Sequence, residues 1–445
     1  MVDAHQTFVI VGGGLAGAKA AETLRSEGFT GRVILICDER DHPYERPPLS
    51  KGFLLGTEER DSVFVHDPAW YAQAHIELHL GQPAVRLDPA ARTVRLGDGT
   101  LIAYDKLLLA TGAEPRRLDV PGTGLAGVHH LRRLAHAERL RGVLASLGRE
   151  STACAGTKEG RAGAERSGRL VIAGAGWIGL EVAAAARAYG ADVTIVEPSP
   201  TPLHGVLGPE LGALFTDLHR DHGVRFHFGA RLTEIVGQDG MVCAVRTDDG
   251  EEHPAHDVLA AIGAAPRTAL AEQAGLDLVD RTGATGGGIA VDSALRTSDP
   301  YIYAAGDVAA APLTLGGDAP RPGTRLRVEH WANALSGGPA AARAMLGQDV
   351  GHDHLPYFFS DQYDLGMEYS GYAPPGSYAR VVHRGDVAQR KFLAFWLAAD
   401  GRLLAGMNVN VRDVNETVQA LIRSGRPLDP ATLADPEVPL AALLP

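Results

Sequence analysis

Two stretches of this chain have the residue types and spacing to hold phosphate. The first is Val9-Ile10-Val11-Gly12-Gly13-Gly14-Leu15-Ala16-Gly17, and the second, about 160 residues later, is Leu170-Val171-Ile172-Ala173-Gly174-Ala175-Gly176-Trp177-Ile178-Gly179. In each, the first glycine permits a tight strand-to-helix turn. The second lets pyrophosphate approach the backbone, and the third lets helix and strand pack closely. The helix start then offers free N–H groups and a partial positive charge to the phosphates. An acid ends the next apolar run in both cases, Asp38 after Val33–Ile36 and Glu197 after Val193–Val196. Such an acid accepts hydrogen bonds from adenosine ribose hydroxyls. A chain that holds two dinucleotides can pass electrons from one to the other.

Glu197 also bears on which nucleotide binds. A carboxylate there repels a 2′-phosphate, and Pro198 to Leu203 contain no basic side chain, so NADH is expected over NADPH. Glu181, two residues past Gly179, sets a problem, because a carboxylate beside a pyrophosphate needs a cation to offset it.

The elements that must position these residues follow from alternating apolar runs and helix-like stretches, the pattern of parallel sheets. Residues 8 to about 116 form a first unit closing at Tyr104–Pro115, which contains Ala110-Thr111-Gly112. A second, from about 118 to 265, closes with Val258–Pro266 around Gly263. From about Glu329 aromatics become denser. Lys391–Leu397 and Arg402–Val409 flank an Asp400-Gly401 turn and predict a hairpin, and Val411–Ser424 has helical spacing. Ser151 to Gly168 contains no Leu, Ile, Val or aromatic residue and reads as a mobile insertion. Thr282–Gly288 and Leu315–Gly323 read as further loops.

Bulk properties narrow the function classes. A chain of 445 residues suits two or three domains. The formal charge of −12 argues against nucleic acid. No apolar run approaches the roughly 18 residues of a membrane helix, and the first strand begins by Phe8, leaving no room for a signal peptide. Cys37, Cys154 and Cys243 form no CxxC pair, so a reduced, cytoplasmic setting is expected, with no disulfide scaffold and no metal site.

At this point the chain resembles a known family over almost its whole length, the FAD- and NADH-dependent ferredoxin reductases of bacterial oxygenase systems. The motifs that carry the resemblance are Tyr44-Glu45-Arg46-Pro47-Pro48-Leu49-Ser50-Lys51, Ala110-Thr111-Gly112, Tyr303-Ala304-Ala305-Gly306-Asp307-Val308, Glu329-His330-Trp331 and Phe359-Ser360-Asp361-Gln362-Tyr363. The resemblance implies an α/β, glutathione-reductase-like fold: two Rossmann-type dinucleotide-binding domains plus a C-terminal α+β domain. The FAD domain would take residues 1–117 and 267–328, the NAD domain 118–266 and the C-terminal domain 329–445. It also implies site roles. Asp38 or Glu39 would bind the FAD adenosine ribose, and Arg46, Pro47 and Arg132 would lie near flavin and pyrophosphate. Gly306 and Asp307 would meet the ribityl and phosphate region, and Val85 would support the adenine. Glu329, His330 and Trp331 would lie on the C-terminal side of the isoalloxazine, and Glu181 would reach the nicotinamide. Lys51, as the cation offsetting Glu181, would stand near the flavin N5. Lys51, Glu181 and Trp331 are thus the expected catalytic set.

The partner implied is a 2Fe–2S ferredoxin. Because ferredoxins are acidic, a local basic face is needed for docking, with Arg321, Arg325 and Arg327, or Arg384, Arg390 and Lys391, as candidates. The resemblance leaves the protein a monomer or a homodimer. Alternatives left open are an electron donor of the rubredoxin or nitrite-reductase type and a redox-sensing flavoprotein of the apoptosis-inducing-factor type. Departures from the family pattern are Phe359 where many relatives have tryptophan, Arg133 and His136 after Arg132, and the 151–168 insertion. Disulfide reductases of this fold carry a cysteine pair where Glu45–Lys51 has none, so thiol chemistry is disfavoured and Cys37 reads as a buried strand residue.

Overall fold

The computed structural model describes residues 5–153, 168–280, 286–313 and 325–445, with the side chains of 149–153 left aside. Of the insertion expected at 151–168, residues 151–153 instead end the helix Leu134–Ala153, while 154–167 and most of both later glycine-rich loops fall outside the described residues.

Two five-stranded parallel sheets carry the two phosphate loops. In the first, the strand Thr7–Val11 lies between Arg32–Ile36 and Lys106–Leu109. Ile76–His79 and Ile302–Ala304 form its edges. The second repeats the plan, with Arg169–Ala173 between Asp192–Glu197 and Asp257–Ala260, and with Arg225–Phe228 and Val128–His129 at the edges. Residues 8–11 and 170–173 of the central strands are buried apolar runs, as parallel sheets covered on both faces require. Chain segments leaving and re-entering the first sheet pair antiparallel as Ala113–Pro115 with Ala264–Pro266. This stitch is tightened by Thr111 Oγ1 donating to the Arg267 carbonyl at 2.8 Å.

Each loop delivers a helix, Leu15–Ser26 and Trp177–Ala188, from a glycine N-cap, Gly14 and Gly176. Gly12 shows why only glycine serves at the turn. Its φ is +128°, and a Cβ there would sit 2.1 Å from the Ala110 carbonyl oxygen. The helix Trp331–Met345 crosses Leu15–Ser26 so closely that a Cβ on Gly338 would meet the Ala16 oxygen at 2.2 Å, which brings Trp331 up to the first loop.

The C-terminal unit is a five-stranded antiparallel sheet ordered Tyr357–Gln362, Leu365–Gly371, Leu403–Val409, Lys391–Leu397, Arg380–Asp386. The expected hairpin is present, with the strands Lys391–Leu397 and Leu403–Val409 paired antiparallel. Period-two alternation sorts the first of these strands. Phe392, Ala394 and Trp396 join the core shared with the second sheet, whereas Leu393, Phe395 and Leu397 pack beneath the helix Asn415–Ser424. That helix starts four residues later than its spacing suggests, because Asn410 and Asp413 have φ of +51° and +60°, which no helix accommodates. Two antiparallel excursions were not expected from the sequence, Ala84–Asp88 with Thr93–Leu96 and Leu101–Ala103, and Leu232–Gln238 with Met241–Thr247 and Glu252–Pro254.

Candidate functional site

A cavity of about 630 Å³ runs from the first phosphate loop to the second, floored by the C-terminal sheet. Its wall contains Gly12, Gly14, Ala16, Asp38, Glu39, Arg46, Pro47, Lys51, Ala110, Thr111, Gly112, Arg132, Gly306, Asp307, Glu329, His330 and Trp331 from the first group of expected residues. From the second it contains Gly176, Trp177, Ile178, Glu181 and Gly263. Gly17, Gly174, Gly179, Glu197 and Val85 are not part of the wall. Gly17, Gly174 and Gly179 act through packing instead, since a Cβ on any of them would meet a backbone oxygen within 2.5 Å. Val85 is 44% exposed on the Ala84–Asp88 strand.

The two loops fit dinucleotides for one structural reason. A Cβ on Gly14 or on Gly176 would meet no protein atom within 4 Å, although both cap helices that open on the cavity. That is the space a pyrophosphate needs, facing unpaired helix N–H groups. Around the first loop the charges are tied down. Asp38 pairs with Arg267 at 3.0 Å and Arg133 at 3.1 Å. Its burial would push its pKa up, but Arg267 first and then Arg133 more than offset that and hold the carboxyl below the ordinary range. Glu39 accepts from the Tyr44 hydroxyl at 2.7 Å and pairs with Arg46 at 3.3 Å, and Arg132 pairs with Asp307. Arg267, a wall residue brought in by the interstrand stitch, carried no sequence signal. At the second loop, Glu197 accepts from the backbone N–H groups of Ala175 and Ser199, each at 2.8 Å, and has lone pairs left for a ribose.

Between the loops stands the expected ion pair. Lys51 Nζ lies 2.8 Å from Glu181 Oε1, with side chains 17% and 3% exposed. Ser50 Oγ donates to Glu181 Oε2 at 2.5 Å, and Ser360 Oγ donates to Oε1 at 2.7 Å. The carboxylate is therefore anchored by three donors from two distant segments, and removing one partner from such a buried pair typically costs about 3–5 kcal/mol. Lys51 also lies 5.3 Å from the centre of the Phe359 ring. Phe359 meets Trp331 edge-on at 6.1 Å, and Trp331 Nε1 donates to Glu45 at 3.1 Å. His330 caps the Trp331–Met345 helix by accepting from Ala332 N at 3.2 Å, and burial pushes its pKa down to about 4, so it acts as a neutral acceptor.

Two of the expected docking cations are not on the surface. The Arg327 side chain is 6% exposed, pairs with Glu329 at 2.6 Å and belongs to the cavity wall. Arg384 is buried and donates to the carbonyls of Leu433, Pro436 and Val438, tying down the C-terminal segment. Both give up exposure because a guanidinium can satisfy several carbonyls or a carboxylate at once. Arg325 is half-buried and donates to the Val291 carbonyl, Arg390 pairs with Asp221, Lys391 is exposed, and Arg321 lies outside the described residues. Cys37 is buried, and burial, then Asp38 and Glu39, push its thiol up to about 12. Among the described residues His227, Glu251 and His253 group together as a metal site would, away from the cavity. No helix among the described residues is long and apolar enough to cross a membrane.

Residues 6–338 match the family described as pyridine nucleotide-disulphide oxidoreductase, and residues 357–444 match the reductase C-terminal domain. The chain is 37% identical over 438 residues to the ferredoxin–NAD(+) reductase component of the anthranilate 1,2-dioxygenase system of Burkholderia cepacia, covering 98% of this chain and 99% of that protein. The solved structure of a covalent putidaredoxin reductase–putidaredoxin complex superposes with a TM-score of 0.86 at 34% identity, covering 98% of both chains. A ferredoxin reductase from Rhodopseudomonas palustris gives a TM-score of 0.87 at 34% identity over 99% of this chain and 100% of that one.

Proposed function

The chain belongs to the pyridine nucleotide-disulphide oxidoreductase family, and from that premise we propose that it is an NADH-dependent ferredoxin reductase. It takes a hydride from NADH onto FAD and passes single electrons to a 2Fe–2S ferredoxin that serves an oxygenase. The observation that carries this reading is one continuous cavity meeting both phosphate loops, with the Lys51–Glu181 pair in the gap between them. Bound FAD supplies the two-electron acceptance and one-electron release that no side chain of this chain can supply.

The residues bind and align. Gly12 and Gly14 with the Leu15–Ser26 helix start would receive the FAD pyrophosphate, and Gly176 with the Trp177–Ala188 helix start that of NADH. Asp38 and Glu39, on the cavity wall beside the first loop, would hold the adenosine end of FAD, and Asp307 its ribityl chain. Lys51 offers a fixed positive charge where electron density accumulates, and Glu181 fixes that ammonium. Trp331 and Phe359, edge-on to each other, line the C-terminal side of the cavity. Hydride transfer needs alignment more than proton transfer, which fits a site whose Glu39, Glu181 and Glu329 carboxylates are held in ion pairs. Disulphide chemistry does not fit, because Ser50 and Lys51 stand where thiols would be needed and the Cys37 thiol is held protonated. The residue ranges 1–117 with 267–328, 118–266 and 329–445 are the corresponding FAD, NAD and C-terminal domains. Cytoplasmic location is part of the same proposal and agrees with the free thiols Cys37 and Cys243.

The test is anaerobic stopped-flow absorbance with NADH, followed by a 2Fe–2S ferredoxin and cytochrome c. Rapid flavin bleaching by NADH, with cytochrome c reduced only when ferredoxin is present, is expected. Bleaching without onward transfer to any 2Fe–2S ferredoxin would sink the reductase reading.

A further inference from the structure

The stretch Ser360-Asp361-Gln362-Tyr363 contributes more to the site than a wall. Ser360, Gln362 and His219 are 0%, 1% and 0% exposed, which puts three polar side chains where water cannot satisfy them. They satisfy one another in a single line. His219 Nε2 meets Gln362 Oε1 at 2.8 Å, Gln362 Nε2 donates to Ser360 Oγ at 3.0 Å, and Ser360 Oγ donates to Glu181 Oε1 at 2.7 Å. At the far end Tyr363 OH lies 3.3 Å from His219 Nδ1.

The direction of this line is fixed by its end. An ionised carboxylate only accepts, so Ser360 donates its one proton to Glu181 and must accept from Gln362. The glutamine oxygen then faces His219, which donates through Nε2 and leaves Nδ1 to accept from Tyr363. A neutral imidazole suits this role, and burial pushes the His219 pKa down to about 4. The line joins three parts of the fold. His219 is on the helix His204–Asp221, whose first turn supplies Gly205 and Val206 to the cavity, Ser360 and Gln362 are on the first C-terminal strand, and Glu181 is on the second phosphate-loop helix.

We propose that Ser360, Gln362 and His219 are positioning residues that set the orientation of Glu181, and through it the Lys51 ammonium, for hydride transfer. The proposal rests on the reductase reading above. The line moves no proton. It removes the freedom of a carboxylate that Ser50 and Lys51 hold from the other side.

The test compares wild type with Gln362→Leu, Ser360→Ala and Ser360→Thr. Flavin content, melting temperature, the flavin midpoint potential and anaerobic bleaching by NADH are measured for each. Losing one hydrogen bond to a charged group corresponds to a fall of about tenfold in the limiting bleaching rate. That fall is expected for Ser360→Ala, and a smaller one of about threefold for Gln362→Leu, whose lost bonds join neutral groups, with flavin content and NADH dissociation constant unchanged in both. The potential should move negative as the ammonium loosens. Ser360→Thr, which keeps the hydroxyl, should restore both the rate and the potential. Wild-type rates and potentials in Ser360→Ala and Gln362→Leu would overturn the proposal. So would losses of flavin or melting temperature that account for the slower rate and that Ser360→Thr does not repair. If NADH fails to bleach the wild type, the reductase reading itself falls and takes the positioning role with it, an outcome separate from bleaching that the variants leave intact.

Discussion

The two phosphate loops share one geometry and have opposite surroundings. At the first, every charge near the loop is tied to another. Arg267 and Arg133 hold Asp38, Arg46 and Tyr44 hold Glu39, and Arg132 holds Asp307. The cations come from segments far apart in the chain, so the pocket closes round its contents from several sides. At the second, Glu197 is held among the described residues by two backbone N–H groups, of Ala175 and Ser199, and the lip is apolar and open, with Ile178 and Val206 41% and 38% exposed. A strand-turn-helix can only offer N–H groups and a dipole, which are alike in both. If enclosure sets residence time, the first loop is expected to keep its nucleotide and the second to exchange it.

Valine at the two N-cap glycines tests this most severely. Neither Gly14→Val nor Gly176→Val meets a protein atom at Cβ, so both should fold, and the new side chain occupies ligand space. Gly14→Val should purify colourless, with its flavin lost. Gly176→Val should stay yellow and lose NADH use by about a hundredfold in kcat/KM, the cost of a displaced substrate. Flavin spectra and steady-state kinetics with an artificial acceptor check both. If Gly176→Val also loses its flavin, the two sites are not independent and the contrast fails.

Lys51 comes next, because it belongs to neither loop alone. Lys51→Met leaves Glu181 with its Ser50 and Ser360 donors, so the protein should keep its flavin. The limiting rate of bleaching by NADH should fall about a hundredfold, the usual scale for losing one preorganised electrostatic contact. A rate within about twofold of wild type would place the reacting centre away from this pair.

These contrasts were unequally legible in the sequence. Both loops and both acids could be read, because a glycine turn with its strand and helix is a local pattern. The Asp400-Gly401 hairpin was legible for the same reason. Apolar spacing starts the helix before Ser424 too early, since it does not register the left-handed backbone of Asn410 and Asp413. Arg267 reaches Asp38 only through the Ala113–Pro115 and Ala264–Pro266 pairing, and Ser360 reaches Glu181 across 179 positions. Contacts of that separation leave no periodic trace. The docking arginines mark the same limit. Arg327 and Arg384 read as surface cations, and only packing reveals that a carboxylate and three carbonyls turn them inward.

A smaller effect sharpens the open side of the comparison. Glu197→Gln keeps one acceptor oxygen and removes the charge that disfavours a 2′-phosphate. The preference for NADH over NADPH in kcat/KM should narrow by about tenfold, the scale of one charged hydrogen bond. Flavin content should not change. An unaltered preference would move nucleotide choice from Glu197 to the apolar lip.

The smallest effect tests whether the closed side is held by charge. Burial works against the Asp38 carboxylate, yet Arg267 and Arg133 bring its folded-state pKa below the ordinary carboxylate value of about 3.9. A lowered folded pKa means the folded state binds the proton less readily than the unfolded chain. The carboxylate therefore adds stability that is complete above about pH 4 and is lost as pH falls through the folded value. Asp38→Asn cannot titrate and lacks that contribution at every pH. Guanidinium unfolding of flavin-loaded protein should show the variant less stable at pH 7 by on the order of 1 kcal/mol, since both arginines are partly solvated. The gap should hold down to about pH 4 and close below it, as wild-type Asp38 is protonated. A gap that persists once folded Asp38 is itself protonated would trace the loss to geometry, with the two arginines serving as hydrogen-bond donors to whichever side chain stands at position 38.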